Sequence, residues 1–372
     1  MQSFKEMTNE CIRLGLASDA STLRRLSLLS YHGLAGFHFP SYYKLCAISK
    51  AAGILASRKK SVRRGHQTKS PYLKKPMLTS CYSFKIAHGA LSISIGDHRH
   101  EEMPLNRHTL EVLSDPTLKV NSFTLTKTSL SISYSKEVEE VKDLASAVGV
   151  DRNLRNLTVD DQDKVTYYGM AKVVDVAEIT NSVVTSFKRN DARVRKRIAS
   201  KYGGRKHERT QNLLHRVSRM VVVDAVKDKE AIAFEDIRDI RRLYQKGNGQ
   251  GRGYRGMMNC WPFAEIKRQI EYKAAWAGIP MIHLTKAETR GTSSSCYRCG
   301  ERLQGSRERA RQLWCPKCER WLDRDLVAVM NISRKGWVRF AHPKGGAVEA
   351  MRGNQTMPVI LRVDVSKGSV KR

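Results

Sequence analysis

The sequence predicts a multidomain α+β protein in which a helical segment, a β-rich segment and an α/β core follow one another. Three observations carry that reading. Apolar residues recur at mixed three- and four-residue spacing over 5–57, and they alternate with polar ones from about 76 to 141. From 144 onward they fall into short apolar runs separated by helical stretches, the pattern of an α/β layer fold. At 372 residues the chain has room for two or three domains, and 41% hydrophobic residues can bury sizeable cores, which excludes wholesale disorder.

In chain order, residues 5–57 read as helix with Pro40 as the clear breaker. Their aromatics, Tyr31, Phe37, Phe39, Tyr42 and Tyr43, suit core packing or stacking on bases. RKKSVRRGHQTKSPYLKK, residues 58–75, holds eight Lys or Arg and no acid, and reads as a loop that suits a phosphate backbone or a solvated linker. SFKIAHGALSISI and SFTLTKTSLSISYS have the period-two, β-branched pattern of antiparallel strands in a small barrel or sheet, broken by a polar loop near 100–107. LASAVGVD, NLTVDD and KVTYYGMA read as three short strands joined by tight turns. A basic helical region follows at about 179–229, interrupted at Gly203 and Gly204. AIAFED is a strand, RRLYQKGNGQGRGYRG a Gly-rich loop, WPFAEIKRQIEYKAAWAG a helix, MIHLTK a strand, and a helix begins near 322. A three-strand meander followed by alternating strands and helices fits an α/β core like that of ribonuclease H. The tail 335–372 is basic, weakly patterned and expected to be partly disordered, with PVILRVDV as a late strand.

Charge and composition narrow the partners. Sixty-seven Lys and Arg face 36 Asp and Glu, a net +31, far beyond what solubility needs, so a polyanion is expected: nucleic acid or an anionic surface. No run of about 18 apolar residues predicts a membrane span. The N-terminal stretch lacks the basic start and unbroken apolar run of a signal peptide, so a cytoplasmic location is expected. Cys11, Cys46, Cys81 and Cys260 are scattered, unlike a secreted disulfide framework.

Acids stand where apolar residues would be expected. Asp151 ends the strand SAVGVD and Glu235 ends AIAFE. A buried carboxylate without a partner is costly, so each requires a cation, hydrogen bonds or a metal. If the two strands are neighbours, their ends present oxygens to one hard divalent ion, typically Mg²⁺. In WLDRDLVAVMNI, Asp323 and Asp325 point about 200° apart on a helix. Asp325 shares the face of Leu322, Leu326, Val329 and Ile332, which must pack on the sheet, whereas Asp323 suits an N-cap. Asp151, Glu235 and Asp325 are therefore the candidate catalytic acids. Two Mg²⁺ ions held by them, with Asp151 bridging, would hydrolyse a phosphodiester in line.

Cys296 and Cys299, then Cys315 and Cys318, form two C-x-x-C knuckles fifteen residues apart. Two knuckles complete one tetrahedral Zn²⁺ site with no open position, so the metal is structural. Arg307, Arg309 and Arg311 between them are candidates to touch nucleic acid.

VGVDRNLRNLTV, AIAFEDI, TSSSCYRCG and DRDLVAVMNI occur in the order seen in TnpB, a family of transposon-encoded, RNA-guided nucleases related to the type V CRISPR effectors. GYRGMMNCWPFAEIKRQIEYKAAWAGIPMIHL resembles the family segment between the second acid and the zinc ribbon. The resemblance covers 145–335; before 145 it is architectural only. It implies a helical recognition-type region with basic linker (1–75), a β-rich wedge-type domain (76–143), and an RNase H-like (RuvC) nuclease core (144–334) with a zinc ribbon inserted at 291–321. It further implies Asp151, Glu235 and Asp325 as the catalytic acids of an RNA-guided DNA endonuclease. The partners would be a guide RNA and a double-stranded target DNA with an adjacent short motif, read by a monomer or homodimer associated with a prokaryotic nucleoid. The alternatives are an inactive relative that represses by RNA-guided DNA binding, and an unguided RuvC-like nuclease.

Three departures from the family pattern carry expectations. Asn153 stands where Gly is usual and is expected to keep a left-handed turn. Val327 stands where the third motif has its first Asn, while Asn331 is retained, which puts full activity in question. The usual opening β-segment is replaced by helix, as in a compact variant or a wedge lacking one strand.

Overall fold

The computed structural model describes residues 1–96, 99–161, 164–237, 240–341 and 359–364. It is a mixed α/β protein of two compact units. The first spans Met1–Glu137 and takes in the late strand. Its helices are α1 (Gln2–Ala17), α2 (Leu23–Ser30) and α3 (Ser41–Arg63). Strands β1 (Met77–Ser80), β2 (Phe84–Ala87), β3 (Ala90–Gly96) and β4 (Arg99–Pro104) come next, then α4 (Arg107–Leu113), β5 (Leu118–Thr126) and β6 (Ser129–Lys136).

Phe4, Met7, Cys11 and Ile12 line one face of α1 at three- and four-residue spacing and are buried. They share one hydrophobic cluster with Ile48 and Leu55 of α3 and with Leu91, Ile93, Phe123, Leu130 and Ile132 of the strands. Helices and strands of this unit thus close a single core. Tyr43 is fully buried there and donates its hydroxyl to the Ser94 carbonyl at 2.6 Å, so this aromatic is committed to packing.

Two expectations are corrected in this unit. The basic stretch from 58 is not all loop, because α3 continues to Arg63; Lys and Arg are good helix formers and no glycine intervenes before Gly65. The polar stretch near 100 is strand β4, paired antiparallel with β3. It lies at one end of the β2-β3-β4 sheet and buries only Met103, so its side chains carry no apolar alternation to read. The second sheet runs β1-β5-β6 and ends in β15 (Val359–Asp364), paired antiparallel with β6. The remainder of the expected tail disorder falls on 342–358 and 365–372, outside the described residues.

The second unit spans Val138–Thr356. It contains β7 (Ser146–Arg152), β8 (Asn156–Asp161), β9 (Lys164–Gly169), α5 (Ala171–Ser186), α6 (Ala192–Lys227) and β10 (Glu230–Phe234). Then come α7 (Arg252–Cys260), α8 (Phe263–Trp276), β11 (Met281–His283), the short strands β12 (Gln304–Gly305), β13 (Gln312–Cys315) and β14 (Arg320–Asp323), and α9 (Arg324–Ala341). One sheet has the order β11-β10-β7-β8-β9. The β7-β8-β9 meander is antiparallel, while β10 and β11 run parallel to β7.

Both faces of the parallel strands are covered, which is why AIAF is continuously apolar. Val148, Val150, Ile232 and Phe234 pack under α5, α6 and α8. On the other face Ala147, Ala231 and Ala233 receive Ile332 of α9. Small residues let α9 lie close: a Cβ on Gly149 would stand 2.3 Å from the Val329 carbonyl oxygen, and one on Gly336 would stand 2.5 Å from Ala233 Cβ.

Two further differences from expectation lie here. Helix α6 runs unbroken through Gly203 and Gly204, since each glycine costs about 1 kcal/mol without forbidding the helix. The Gly-rich segment after AIAFED contains α7, whose Met258 is buried in the main cluster; one anchoring side chain outweighs the local glycine content.

Candidate active site and cysteine cluster

Strand register brings the first two acids together. Val150 pairs with Phe234 in the parallel β7/β10 ladder, so Asp151, still paired with Thr158 of β8, and Glu235, just past the end of β10, stand side by side. The two carboxyls stand close enough that each shifts the proton affinity of the other. Asp325 arrives from the first turn of α9, buried, and its charge acts on Asp151. All three line one cleft of about 780 Å³, together with Asn153, Thr292 and Arg311.

Asp323 sits at the junction of β14 and α9, where its carboxylate accepts the backbone N–H of Asp325 (2.8 Å) and of Leu326 (3.1 Å). It is the N-cap of α9, and by holding that first turn it fixes the position of Asp325.

Crowding acids in a buried place shifts them in one direction. Burial, and then the negative charge of Asp325, raise Asp151 above the usual carboxylate range. Burial and the neighbouring Asp151 push Glu235 up to about 7. Burial also raises Asp325, against the pull of Arg311. Such a cluster holds protons until a cation replaces them.

Asn153 does not adopt the left-handed backbone expected at its position, since its φ is not among the positive ones. Its side-chain amide instead donates to Asp151 Oδ2 (3.0 Å) and to Thr158 Oγ1 (3.2 Å). Here Asn supplies a hydrogen bond that glycine would not have. Val327 is fully buried among Cys296, Leu303, Cys315 and Leu322, so this substitution packs the cysteine side of α9 rather than the acid side. Asn331 donates to the carbonyls of Thr292 and Ser295 (2.8 Å each) and clasps the loop leading into the first cysteine pair.

Two arginines belong to the site. Arg152 is buried; its Nη2 donates to the Glu235 carbonyl (2.9 Å) and its Nη1 to the Phe263 carbonyl (3.1 Å), tying the ends of β7 and β10 to the start of α8. Arg311 donates to Asp325 Oδ2. The sequence offered Arg311 only as one of three basic residues in a loop. Its partner is fourteen residues away, and no local pattern links them. Arg309 lies over the Trp321 ring at 4.9 Å instead.

The four cysteines converge. Their sulfurs all lie within 4.8 Å of one another, with Cys299 and Cys315 at 3.5 Å and Cys296 and Cys318 at 3.9 Å. A tetrahedron with Zn–S bonds of about 2.3 Å has sulfurs about 3.8 Å apart, so the cluster has the geometry to bind zinc. Burial pushes the Cys296 thiol up, but the backbone N–H groups of Cys299 and Arg298 outweigh it and bring it down to about 7. The thiols of Cys299 and Cys315 push Cys318 up to about 12. Without a cation the cluster ionises only in part, and a metal supplies the missing positive charge. Among the described residues, no helix is long and apolar enough to cross a membrane.

Comparison with known proteins falls on the same segments. Residues 263–332, from α8 through the cysteines to α9, match the family model Cas12f1-like, TNB domain. A TnpB-like protein of Methanocaldococcus jannaschii is 26% identical over 236 residues, covering 61% of this chain and 81% of that protein. Over most of that relative's length the chain is similar to a TnpB-like protein. The CRISPR-associated endodeoxyribonuclease Cas12f1 of Sulfoacidibacillus thermotolerans is 32% identical over 120 residues, 32% of this chain and a quarter (25%) of that protein's length. The likeness thus rests on most of one relative and a short segment of the other.

Proposed function

We propose that this TnpB-like chain is an RNA-guided DNA endonuclease whose RNase H-like (RuvC) core hydrolyses target DNA with Asp151, Glu235 and Asp325. The observation that carries the proposal is the meeting of three carboxyls, half-buried Asp151 from β7, half-buried Glu235 from the end of β10 and buried Asp325 from α9, in one cleft of a chain with net charge +31. The five-strand order supports it: the antiparallel meander flanked by two parallel strands is what an RNase H-like core requires.

An all-carboxylate set suits hard divalent cations, and two Mg²⁺ ions there would activate water and neutralise the charge of the leaving oxygen. Asp151 stands beside Glu235 and under the field of Asp325, and would serve both ions. Asn153 orients its carboxylate. Arg152 holds the strand ends so that Glu235 faces Asp151. Arg311 neutralises Asp325 and stands ready to meet a phosphate once a cation takes that role. The cysteine cluster holds one structural zinc and, through Asn331 and Val327, braces α9 behind Asp325.

The test is to purify the protein from cells carrying its native flanking DNA, sequence the bound RNA, and challenge the complex with a matched duplex in Mg²⁺ or in chelator. Bound RNA with Mg²⁺-dependent cutting supports the proposal. Cutting with no bound RNA would leave an unguided nuclease, and RNA-directed binding with no cutting would leave a repressor.

A further inference from the structure

Strand β9 carries two adjacent tyrosines, and the alternation of a strand sends them to opposite faces of the sheet. Tyr168 pairs with Leu157, is buried in the main cluster and donates its hydroxyl to Asp224. That side chain is committed to packing. Tyr167 is 51% exposed, and among the described residues no hydrogen bond or ring contact holds it. An exposed ring is ordinary on a sheet surface. The place of this one is not.

Register fixes that place. Asp151 pairs with Thr158, and Thr158 with Tyr167, so the three form one row across β7, β8 and β9 with their side chains on one face. It is the face that α9 covers, since a Cβ on Gly149, two residues before Asp151, would point at the Val329 carbonyl. Two strand spacings put the Tyr167 Cα about 10 Å from that of Asp151. Asp323, Asp325 and Arg311 stand close enough to act on the phenol; burial and then the two acids raise its proton affinity and keep it uncharged. Tyr167 lines the same cleft as the three acids, with Tyr244, Tyr254 and Arg311.

The cleft sets what can reach this ring. Its volume of about 780 Å³ is that of a pocket for a drug-sized molecule. It accommodates a nucleotide or two of unpaired strand, and not a duplex, whose major groove alone is about 12 Å wide. An unpaired strand with a phosphate against the acids carries a base alongside, its faces open. A neutral aromatic ring in the same row as Asp151 is a stacking platform for such a base, worth about 5- to 150-fold in affinity. Stacking is indifferent to which base arrives, as a chain that leaves sequence choice to base pairing requires.

We propose that Tyr167 is a strand-holding residue of the acid cleft, its ring stacking on an unpaired DNA base next to the phosphate that is cut. The inference rests on the reading of that cleft as a DNA-cutting site, and adds to it a residue that binds rather than reacts. The ring makes the contact rather than the hydroxyl, because the Asp323 carboxylate near the hydroxyl disfavours a phosphate there.

The experiment follows aminopurine, a fluorescent base whose emission falls when it stacks, placed at one position at a time along the displaced strand of a matched duplex. RNA-loaded protein is titrated in with Ca²⁺ replacing Mg²⁺, so that the strand is bound and not cut; protein that carries no RNA is offered the same strand unpaired. Single-turnover cleavage in Mg²⁺ is measured alongside. The expected result is one quenched position with wild type, lost in Tyr167→Ala and restored in Tyr167→Phe, which keeps the ring. Tyr167→Ala should also cut about tenfold more slowly with its melting temperature unchanged, and Tyr167→Phe should rescue that rate. An abasic site at the quenched position should slow wild type to the same degree and leave Tyr167→Ala no slower still. Quenching that survives Tyr167→Ala, or no quenched position with wild type, would overturn the proposal. Tyr167→Phe as weak as Tyr167→Ala would do the same, by assigning the contact to the hydroxyl. The expected quenching pattern in a protein that never cuts would support the strand contact while defeating the nuclease reading, so the two failures are told apart.

Discussion

Gly149 has no room for a side chain. Its added Cβ would lie 2.3 Å from the Val329 carbonyl oxygen, 2.7 Å from the Ser333 nitrogen and 3.1 Å from Ile332 Cβ. The first two are backbone atoms of α9, so no rotamer change relieves the clash. The helix must retreat by about 1 Å to restore an ordinary van der Waals distance. Gly149→Ala is therefore an overpacking substitution costing about 1–3 kcal/mol, or a melting temperature lower by roughly 3–10 °C for a unit of this size. Asp325 lies one turn before Val329 on the same helix, so it moves too, and a displacement of about 1 Å at a catalytic group costs about 100-fold in rate. The assay pairs thermal melting with single-turnover cleavage and zinc content. Loss of cleavage exceeding what unfolding explains, with zinc retained, is expected. Gly204→Ala, where a Cβ meets nothing within 4 Å, should leave cleavage intact. Wild-type melting and cutting in Gly149→Ala would refute the close packing of α9 on β7.

Other outcomes follow from the same geometry. With folded Glu235 raised from 4.5 to about 7, the metal-free fold is favoured below pH 4.5 and loses up to about 3 kcal/mol as pH rises through 7; Glu235→Gln should flatten that loss in chelator melts at pH 5 and 8. Cys296→Ser should lower zinc from one atom per chain and reduce stability, as measured by metal analysis and melting; full zinc retention would count against the four-sulfur site. Asn153→Ala removes the amide bond to Asp151 and should slow cleavage about 10-fold, with the melting temperature nearly unchanged.

What the sequence reveals and conceals here has physical causes. AVGV and AIAF are legible as strands because parallel strands covered on both faces must be apolar throughout, and an acid ending such a run is conspicuous. Asp323 is separated from Asp325 not by the helix angle expected between them, since Asp323 ends β14 and α9 starts at Arg324, but by its cap hydrogen bonds, which are local and legible in the sequence. RHEEMP hides its strand because only Met103 reaches the core. Gly203 and Gly204 mislead because glycine weakens a helix without ending it. The parts that escape are long-range: the Arg311–Asp325 pair crosses from β13's approach to α9, Arg152 reaches the carbonyls of two other elements, and neither arginine differs locally from the many others in this chain. Val327 escapes for a related reason. The motif says which residue is missing, whereas the side of α9 it faces depends on the cysteine cluster.

The most direct test of the account is single-turnover cleavage of a matched DNA duplex by the RNA-loaded protein, with and without Mg²⁺. Wild type is set beside Asp151→Ala, Glu235→Ala and Asp325→Ala. The account predicts Mg²⁺-dependent cutting by wild type alone, with duplex binding retained in all three variants. Cleavage by any of the three, or none by an RNA-loaded wild type in Mg²⁺, would contradict it.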